Sequence, residues 1–464
     1  MQPFRLTALE LLRAYRSRKL SPVEALASVV ERVEAFEPHI AATWLCAPER
    51  ALRQARASEA RWMKDEPIGP LDGVPATVKD NIATSGDPTP LGTAASDMTP
   101  AEADAPPAAR LKEAGAIIFA KTTMPDYGML SSGLSSFHPL ARNPWKLDKN
   151  PGGSSAGAGA AAAAHYGPLH VGTDIGGSIR LPAGWCGIVG LKPSAGRVPI
   201  DPPYIGRVAG PMTRNVADAG LMMATLALPD ARDYASLKFE TLDWAVRPAD
   251  VRGLRVGLML EAGCGVRASR EMSAAVERAA RDFEAAGARV APLAPFLTQE
   301  MLDGLDHFWR ARSLIDLEAL APEKREAVLP FIRDWAESAN GFSGQHVLRG
   351  FGQIFAMRKA AIAATNRFDY VLSPTAPMTA FPAEWASPSR DPLNPFPHIG
   401  FTVAFNMSEQ PAATVNCGFD AEGLPIGLQI VGRRFDDVGV LAVARAYEDM
   451  RSAEMRPWPE PPAG

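Results

Sequence analysis

Cysteine is scarce in this chain. Its 464 residues hold four, Cys46, Cys186, Cys264 and Cys417. None pairs at metal-ligand spacing, and so few in so long a chain exclude a disulfide-built scaffold. Long apolar runs are missing too, so no segment is expected to span a bilayer. The start, Met1-Gln2-Pro3-Phe4-Arg5, lacks the apolar stretch of a signal peptide. Neither sign of charge dominates: 48 Lys and Arg against 52 Asp and Glu leave a net charge of −4. Bulk charge therefore gives no reason to expect a nucleic-acid or membrane partner. What is there is ordinary for a globular protein, with 47% hydrophobic and 22% charged residues. The expectation is a reduced, cytoplasmic enzyme. With no internal repeat and no dividing linker, residues 1–464 read as a single domain.

Helix starts are legible near the N-terminus. Thr7-Ala8-Leu9-Glu10 and Ser21-Pro22-Val23-Glu24 read as capping boxes, the second with proline at the first helical position. Leu26, Val29, Val30, Val33 and Phe36 then recur at helical spacing. A further helix is expected from Pro48 to Lys64, a short strand from Val74 to Val78, a helix from Ala108 to Ala114 and a buried strand from Ala116 to Ala120. This alternation predicts an α/β fold. Gly253 to Met259, a helix from Glu271 to Ala286, and Val290 extend the pattern. Ala311 to Ala339 reads as an amphipathic helical region, and Pro374 to Pro397 as a long loop.

The chemistry is concentrated in glycine-rich segments. Pro151-Gly152-Gly153-Ser154-Ser155 breaks the chain before an almost pure alanine and glycine run, Ala156 to His165. Its composition suits a helix packed tightly on a sheet. Downstream, Gly172-Thr173-Asp174-Ile175-Gly176-Gly177-Ser178-Ile179-Arg180-Leu181-Pro182 carries a second serine. A serine needs an adjacent base before it can attack a carbonyl. Backbone N–H groups of Ile175-Gly176-Gly177-Ser178 can converge on one point, which suits an oxyanion. Upstream, Pro75-Ala76-Thr77-Val78-Lys79-Asp80-Asn81 supplies a lysine. Two serines, a lysine and an anion site amount to a hydrolase that needs no histidine. Lysines beside Asp-Asn are usually solvated, and Lys121 and Lys192 compete with Lys79 for the role.

Together these segments resemble the amidase signature family, whose pattern sets a lysine in G-x-P-x-x-V-K-D-N, a serine in G-G-S-S and a nucleophile in D-x-G-G-S-[IV]-R-x-P. Further matches are Gly187 to Pro193, Gly210 to Arg214, Phe368 to Thr375 and Gly423 to Ile430. The resemblance covers about Leu71 to the C-terminal region. The core signature lies at about 70–220, and a variable helical region at about 230–367 is poorly matched. It implies a central mixed β-sheet flanked by α-helices on both sides. It also implies a neutral Lys79 as base, a proton relay through Ser154 behind a cis peptide bond, and Ser178 as nucleophile. Ile175, Gly176, Gly177 and Ser178 are the implied oxyanion donors. A lysine of ordinary pKa, about 10.4, would be neutral in only about one molecule in a thousand at pH 7.4, so burial must lower it. No metal or organic cofactor is implied.

Other residues have plainer readings. Ser155 is a supporting hydroxyl or a helix cap. Asp174 and Arg180 read as an ion pair bracing the loop. Gly153-Ser154-Ser155-Ala156-Gly157 formally matches the G-x-S-x-G nucleophile elbow, but no hydrophobic strand precedes it. The seven histidines show no Asp/Glu…His order. A nucleotide-binding loop is disfavoured, because no complete phosphate-loop pattern is present. Met129, Leu130, Ser131, Ile205 and the stretch Phe401 to Met407 are candidate pocket residues. With no basic cluster beside the motifs, they suggest a small neutral, aryl amide as substrate, with esters and carbamates (urethanes) able to use the same machinery. Monomer and homodimer both remain open. The alternative is an amidotransferase subunit that releases ammonia from glutamine for a partner complex. That branch of the family usually carries Ser-x-Asp-Gln before its G-P-x-x-R motif. Here the place reads Tyr204-Ile205-Gly206-Arg207-Val208-Ala209.

Overall fold

The computed structural model describes residues 2–462. Eleven strands form one sheet: β1 (Thr43–Cys46), β2 (Pro75–Lys79), β3 (Ile117–Thr122), β4 (Leu169–Asp174), β5 (Val189–Lys192), β6 (Val208–Thr213), β7 (Arg255–Leu258), β8 (Arg289–Pro292), β9 (Tyr370–Pro374), β10 (Ala412–Phe419) and β11 (Pro425–Val431). Their order is β1-β3-β2-β4-β6-β5-β10-β11-β9-β7-β8. The sheet is mixed. β2 runs parallel to β3 and β4, and β7 to β8 and β9, while the remaining neighbours are antiparallel.

Side chains alternate between two buried faces, as the pleat requires. In β3, Ile118 joins the core that holds Met222 and Tyr447, whereas Ile117 and Phe119 pack with Val29 and Phe36. Helices thus cover both faces. Every residue of β2, β3 and β4 is buried, and polar side chains intrude mainly towards the strand ends, at Thr77, Lys79, Lys121, Thr122, His170, Thr173 and Asp174.

Both capping boxes form, at Thr7 and Ser21. The alanine run becomes the helix Ala156–Ala163 with every residue buried. A Cβ on Gly157 would lie 2.0 Å from the Ala42 carbonyl oxygen and 2.4 Å from the Thr123 nitrogen. Only glycine allows that approach. The helical region expected from Ala311 to Ala339 comprises three helices, Gln299–Glu318, Pro322–Ala327 and Pro330–Glu337. Pro322 and Pro330 each start a new helix, since a proline N–H is not needed in the first turn. A fourth helix, Gly344–Thr365, packs against the first. Among the described residues no helix is long and apolar enough to cross a membrane.

Candidate active site

Two strand ends and two helix starts bring the glycine-rich segments together. β2 ends at Lys79, which is wholly buried. Its Nζ donates to Ser154 Oγ at 2.7 Å and to Thr173 Oγ1 at 2.9 Å. Thr173 Oγ1 also accepts from Asn81 Nδ2 at 3.1 Å. Among the described residues no carboxylate touches the amine. Asp80, the next residue, faces His138 instead, at 3.0 Å, and accepts from the Gly92 N–H. Burial and the nearby Arg207 charge bring the Lys79 pKa down to about 7, against a weaker pull upward from Asp174 and Asp80.

The peptide bond between Gly153 and Ser154 is cis. Ser155 caps the alanine helix by position but not by its side chain. Its Oγ instead donates to the Thr173 carbonyl and accepts from the Thr173 N–H, both at 3.2 Å. The Ser155 N–H donates to the Ser178 carbonyl, also at 3.2 Å. These bonds tie the first serine segment to the end of β4 and to the second serine segment. Ser155 is fully buried and follows no strand, so the elbow pattern has no structural counterpart.

After β4 the chain turns through Ile175-Gly176-Gly177-Ser178 into the helix Arg180–Cys186. Gly177 has φ +133°, and a Cβ there would sit 2.6 Å from Thr402 Oγ1. Asp174 organises this turn. It accepts from the Gly177 N–H at 2.8 Å and the Ile179 N–H at 3.0 Å, and it pairs with Arg180 through Nε at 3.0 Å and Nη2 at 2.9 Å. The Arg180 charge and these donors outweigh burial and hold the Asp174 carboxyl far below the usual carboxylate range. Arg180 also reaches the Thr402 carbonyl, Gln429 and Asn406. One correction follows for the anion site. The Gly177 N–H is committed to Asp174, whereas those of Ile175, Gly176 and Ser178 meet no acceptor among the described residues.

The competing lysines lie elsewhere. Lys121 donates to the Pro88 carbonyl, and Lys192 to that of Pro193. Both are buried with lowered pKa values, about 8 and about 7, so low pKa alone does not single out Lys79. Contact with a serine does. His307 and His346 partner each other, His170 partners Thr77 and His138 partners Asp80, and among the described residues no histidine bonds to Ser154, Ser155 or Ser178.

Ser154 and Ser178 open into a cavity of about 460 Å³. A recess of about 30 Å³ branches from it beside Gly176, walled by Met129, Leu130, Ser131, Trp309, Phe396 and Ile399. Met129, Leu130 and Ser131, three of the residues expected at a pocket, line this recess. Ile205 is not. The chain turns at Gly206, φ +76°, and Ile205 opens onto a separate hollow with Ile200 and Leu237. Phe401 and Met407 are core residues rather than pocket wall. From the same segment, Thr402 Oγ1 donates to the Gly176 carbonyl at 2.6 Å and Asn406 Nδ2 to Asp174 at 2.8 Å. The cavity is also not free of basic groups. Arg207 and Arg312 both line it, with Asp201 and Asp316. Lysines and arginines scattered through a sequence give no sign of such convergence. The expectation of a neutral substrate loses its basis here.

The chain matches the Amidase family model over residues 24–441. It is 34% identical over 487 residues to the A subunit of glutamyl-tRNA(Gln) amidotransferase from Moorella thermoacetica, an alignment covering 97% of each chain. With the Myxococcus xanthus protein of the same name it shares 35% over 483 residues, covering 97% of this chain and 98% of that one. Among solved structures, a bacterial aryl acylamidase superposes with a TM-score of 0.88 at 30% identity, covering 96% of each chain. The corresponding amidotransferase protein of Thermotoga maritima gives 0.80 at 26%, covering 100% of this chain and 99% of that one. The protein is therefore an enzyme that hydrolyses amide C–N bonds, and it belongs to the amidase signature family.

Proposed function

We propose that the protein cleaves small acyl amides through an acyl-enzyme on Ser178. The observation that carries this reading is the 2.7 Å contact of a fully buried Lys79 with Ser154 Oγ. With its pKa near 7, the amine is substantially neutral at neutral pH and can accept a proton. Ser154 passes its hydroxyl proton to Nζ while taking the Ser178 proton, and Ser178 Oγ attacks the carbonyl carbon. The developing oxyanion meets the uncommitted N–H groups of Ile175, Gly176 and Ser178. The relay then returns a proton to the leaving amine. Water enters, loses a proton to the same relay and releases the acid. Asp174 and Arg180 hold the turn and do no chemistry.

The recess beside Gly176 supports a small acyl group, with the amine portion in the larger cavity. Aryl amides fit this division, and esters and carbamates present the same carbonyl. The curated relatives favour a second reading, in which the amide is glutamine and the chain is one component of an amidotransferase. Against it stand the higher TM-score to the aryl acylamidase and the mainly apolar wall of the recess.

The test has two arms. A fluorophosphonate is expected to label Ser178 and no other residue in peptide maps. A comparison of kcat/KM is expected to place acetanilide above glutamine without any partner chain or tRNA. An adduct on Ser155, or none, refutes the nucleophile. Ammonia release from glutamine with inert anilides replaces the first reading by the second.

A further inference from the structure

The buried arginines Arg32, Arg180, Arg197 and Arg310 are all engaged, whereas the partly buried Arg207 is not. Arg180 is held by Asp174, Asn406, Gln429 and the Thr402 carbonyl. Arg310 is held by Asp306, Ser338 and the Leu393 carbonyl. Arg197 is held by Asp437. Arg207, by contrast, donates no hydrogen bond and forms no ion pair among the described residues, and its Nε is buried without an acceptor. It lines the cavity of Ser154 and Ser178, directly after the turn at Gly206.

A second guanidinium faces the same space. Arg312, on the helix Gln299–Glu318, lies 5.1 Å over the Tyr204 ring, and its Nε is also buried without an acceptor. Its one carboxylate neighbour is Asp316, at 3.6 Å, whose side chain is half exposed. Of the other two carboxylates of the cavity, Asp201 is exposed as well and Asp174 is taken up by Arg180. Solvated carboxylates at the mouth compensate an inner charge weakly. Two guanidiniums with unused donors in one half-buried cavity create a demand for an anion. The planar donor fork matches a carboxylate, which it can hold through two parallel bonds.

We propose that Arg207 and Arg312 form a carboxylate subsite, so that the preferred substrates are N-acyl amines whose amine portion carries a carboxylate. This rests on the amidase reading above. The carboxylate is placed on the amine side because the recess beside Gly176 is walled mainly by apolar side chains and suits an acyl group, leaving the wider, arginine-lined space to the leaving amine.

Binding can be measured apart from turnover by titration calorimetry on the Ser178→Ala protein. The paired probes are 4-acetamidobenzoate and 4-methylacetanilide, alike but for the carboxylate. The carboxylate is expected to bind about tenfold tighter or better, the size of one charge-assisted contact. Arg207→Gln in the same background should remove the difference, and Arg312→Gln should reduce it. The second variant keeps the test open if the first fails to fold. Equal affinities, a preference that survives both substitutions, or no detectable binding of the carboxylate at millimolar concentration overturns the subsite. Glutamine binding tighter than 4-acetamidobenzoate also overturns it, by moving the carboxylate to the acyl side. Failure of the amidase reading would show separately, as absence of aniline release from acetanilide by the native protein.

Discussion

The floor and the roof of the cavity are built on different principles. The floor holds Lys79, Ser154 and Ser178 at strand ends and on glycine turns, and each is less than 10% exposed. Backbone bonds and one buried ion pair fix their positions, as in the link from Ser155 to Ser178 and the turn around Asp174. The roof is the outer helix Gln299–Glu318, which contributes Trp309, Arg312 and Asp316 through side chains alone. A floor set by backbone tolerates few sequences, because glycine is required wherever atoms approach as closely as at Gly157 and Gly177. A roof set by side chains can change residue by residue while the chemistry beneath it stays the same.

Lys79→Met would strike the floor hardest. We expect kcat/KM to fall about a thousandfold, within the usual span for loss of a general base. In the native enzyme kcat/KM should rise with pH through about 7 and flatten above it, because only the unprotonated amine can accept. The stability effect has the opposite sign. The folded pKa lies below the unfolded one, so the unfolded chain binds the extra proton between about pH 7 and about 10.4. The cost of burying the amine is complete below pH 7 and vanishes above that window. Lys79→Met should therefore be more stable at pH 7, by about 2 kcal/mol after allowing for its lost hydrogen bonds. A variant both inactive and less stable would remove the neutral-lysine account.

Legibility in the sequence follows the same division. The floor could be read before any coordinates, because close approach and anion binding demand glycine, and the demand leaves a pattern around Ser154 and Ser178. The strands β2, β3 and β7 and the capped helices were visible through periodicity and capping chemistry. The roof was not. Arg207 stood in plain view in the segment before Gly210-Pro211, but nothing local says that it meets Arg312, far along the chain. Ile205 was expected in the site because it neighbours the motifs, and a single turn at Gly206 sends it elsewhere. Thr402 and Asn406 lie in the stretch expected to line the pocket, but their role is to brace other residues' backbone and carboxylate, for which no sequence signal exists. The expected helical region holds three helices because prolines that begin helices also end the preceding pattern.

Asp174→Asn tests whether the floor is held by the ion pair. It would leave the Arg180 charge buried without its counter-ion, a loss of about 3–5 kcal/mol by analogy with other broken buried pairs. The urea midpoint should drop with an unchanged slope. Because Arg180 holds the Asp174 carboxyl so far below the usual range, the native protein should keep this contribution through mild acid. A midpoint within experimental error of the native value would mean that the pair is dispensable and that hydrogen bonds alone hold the turn.

The smallest effect is the most specific to the upper part of the cavity. Met129 borders both the main cavity and the recess beside Gly176 and is only partly buried, so Met129→Ala should widen the recess at little cost in stability. Acyl groups longer than acetyl are expected to gain. A methylene accommodated in an apolar pocket is worth about 1–3 kcal/mol, so the kcat/KM ratio of butyranilide to acetanilide should rise about tenfold. Reactivity of Ser178 toward a fluorophosphonate should not change, since no bond of the relay passes through Met129. If the ratio stays fixed while the ranking of amine portions shifts, the recess takes the leaving group and the acyl chain lies under Arg207 and Arg312. That outcome would turn the substrate end for end and make an amide with an acidic acyl chain, glutamine among them, the better fit to the same floor.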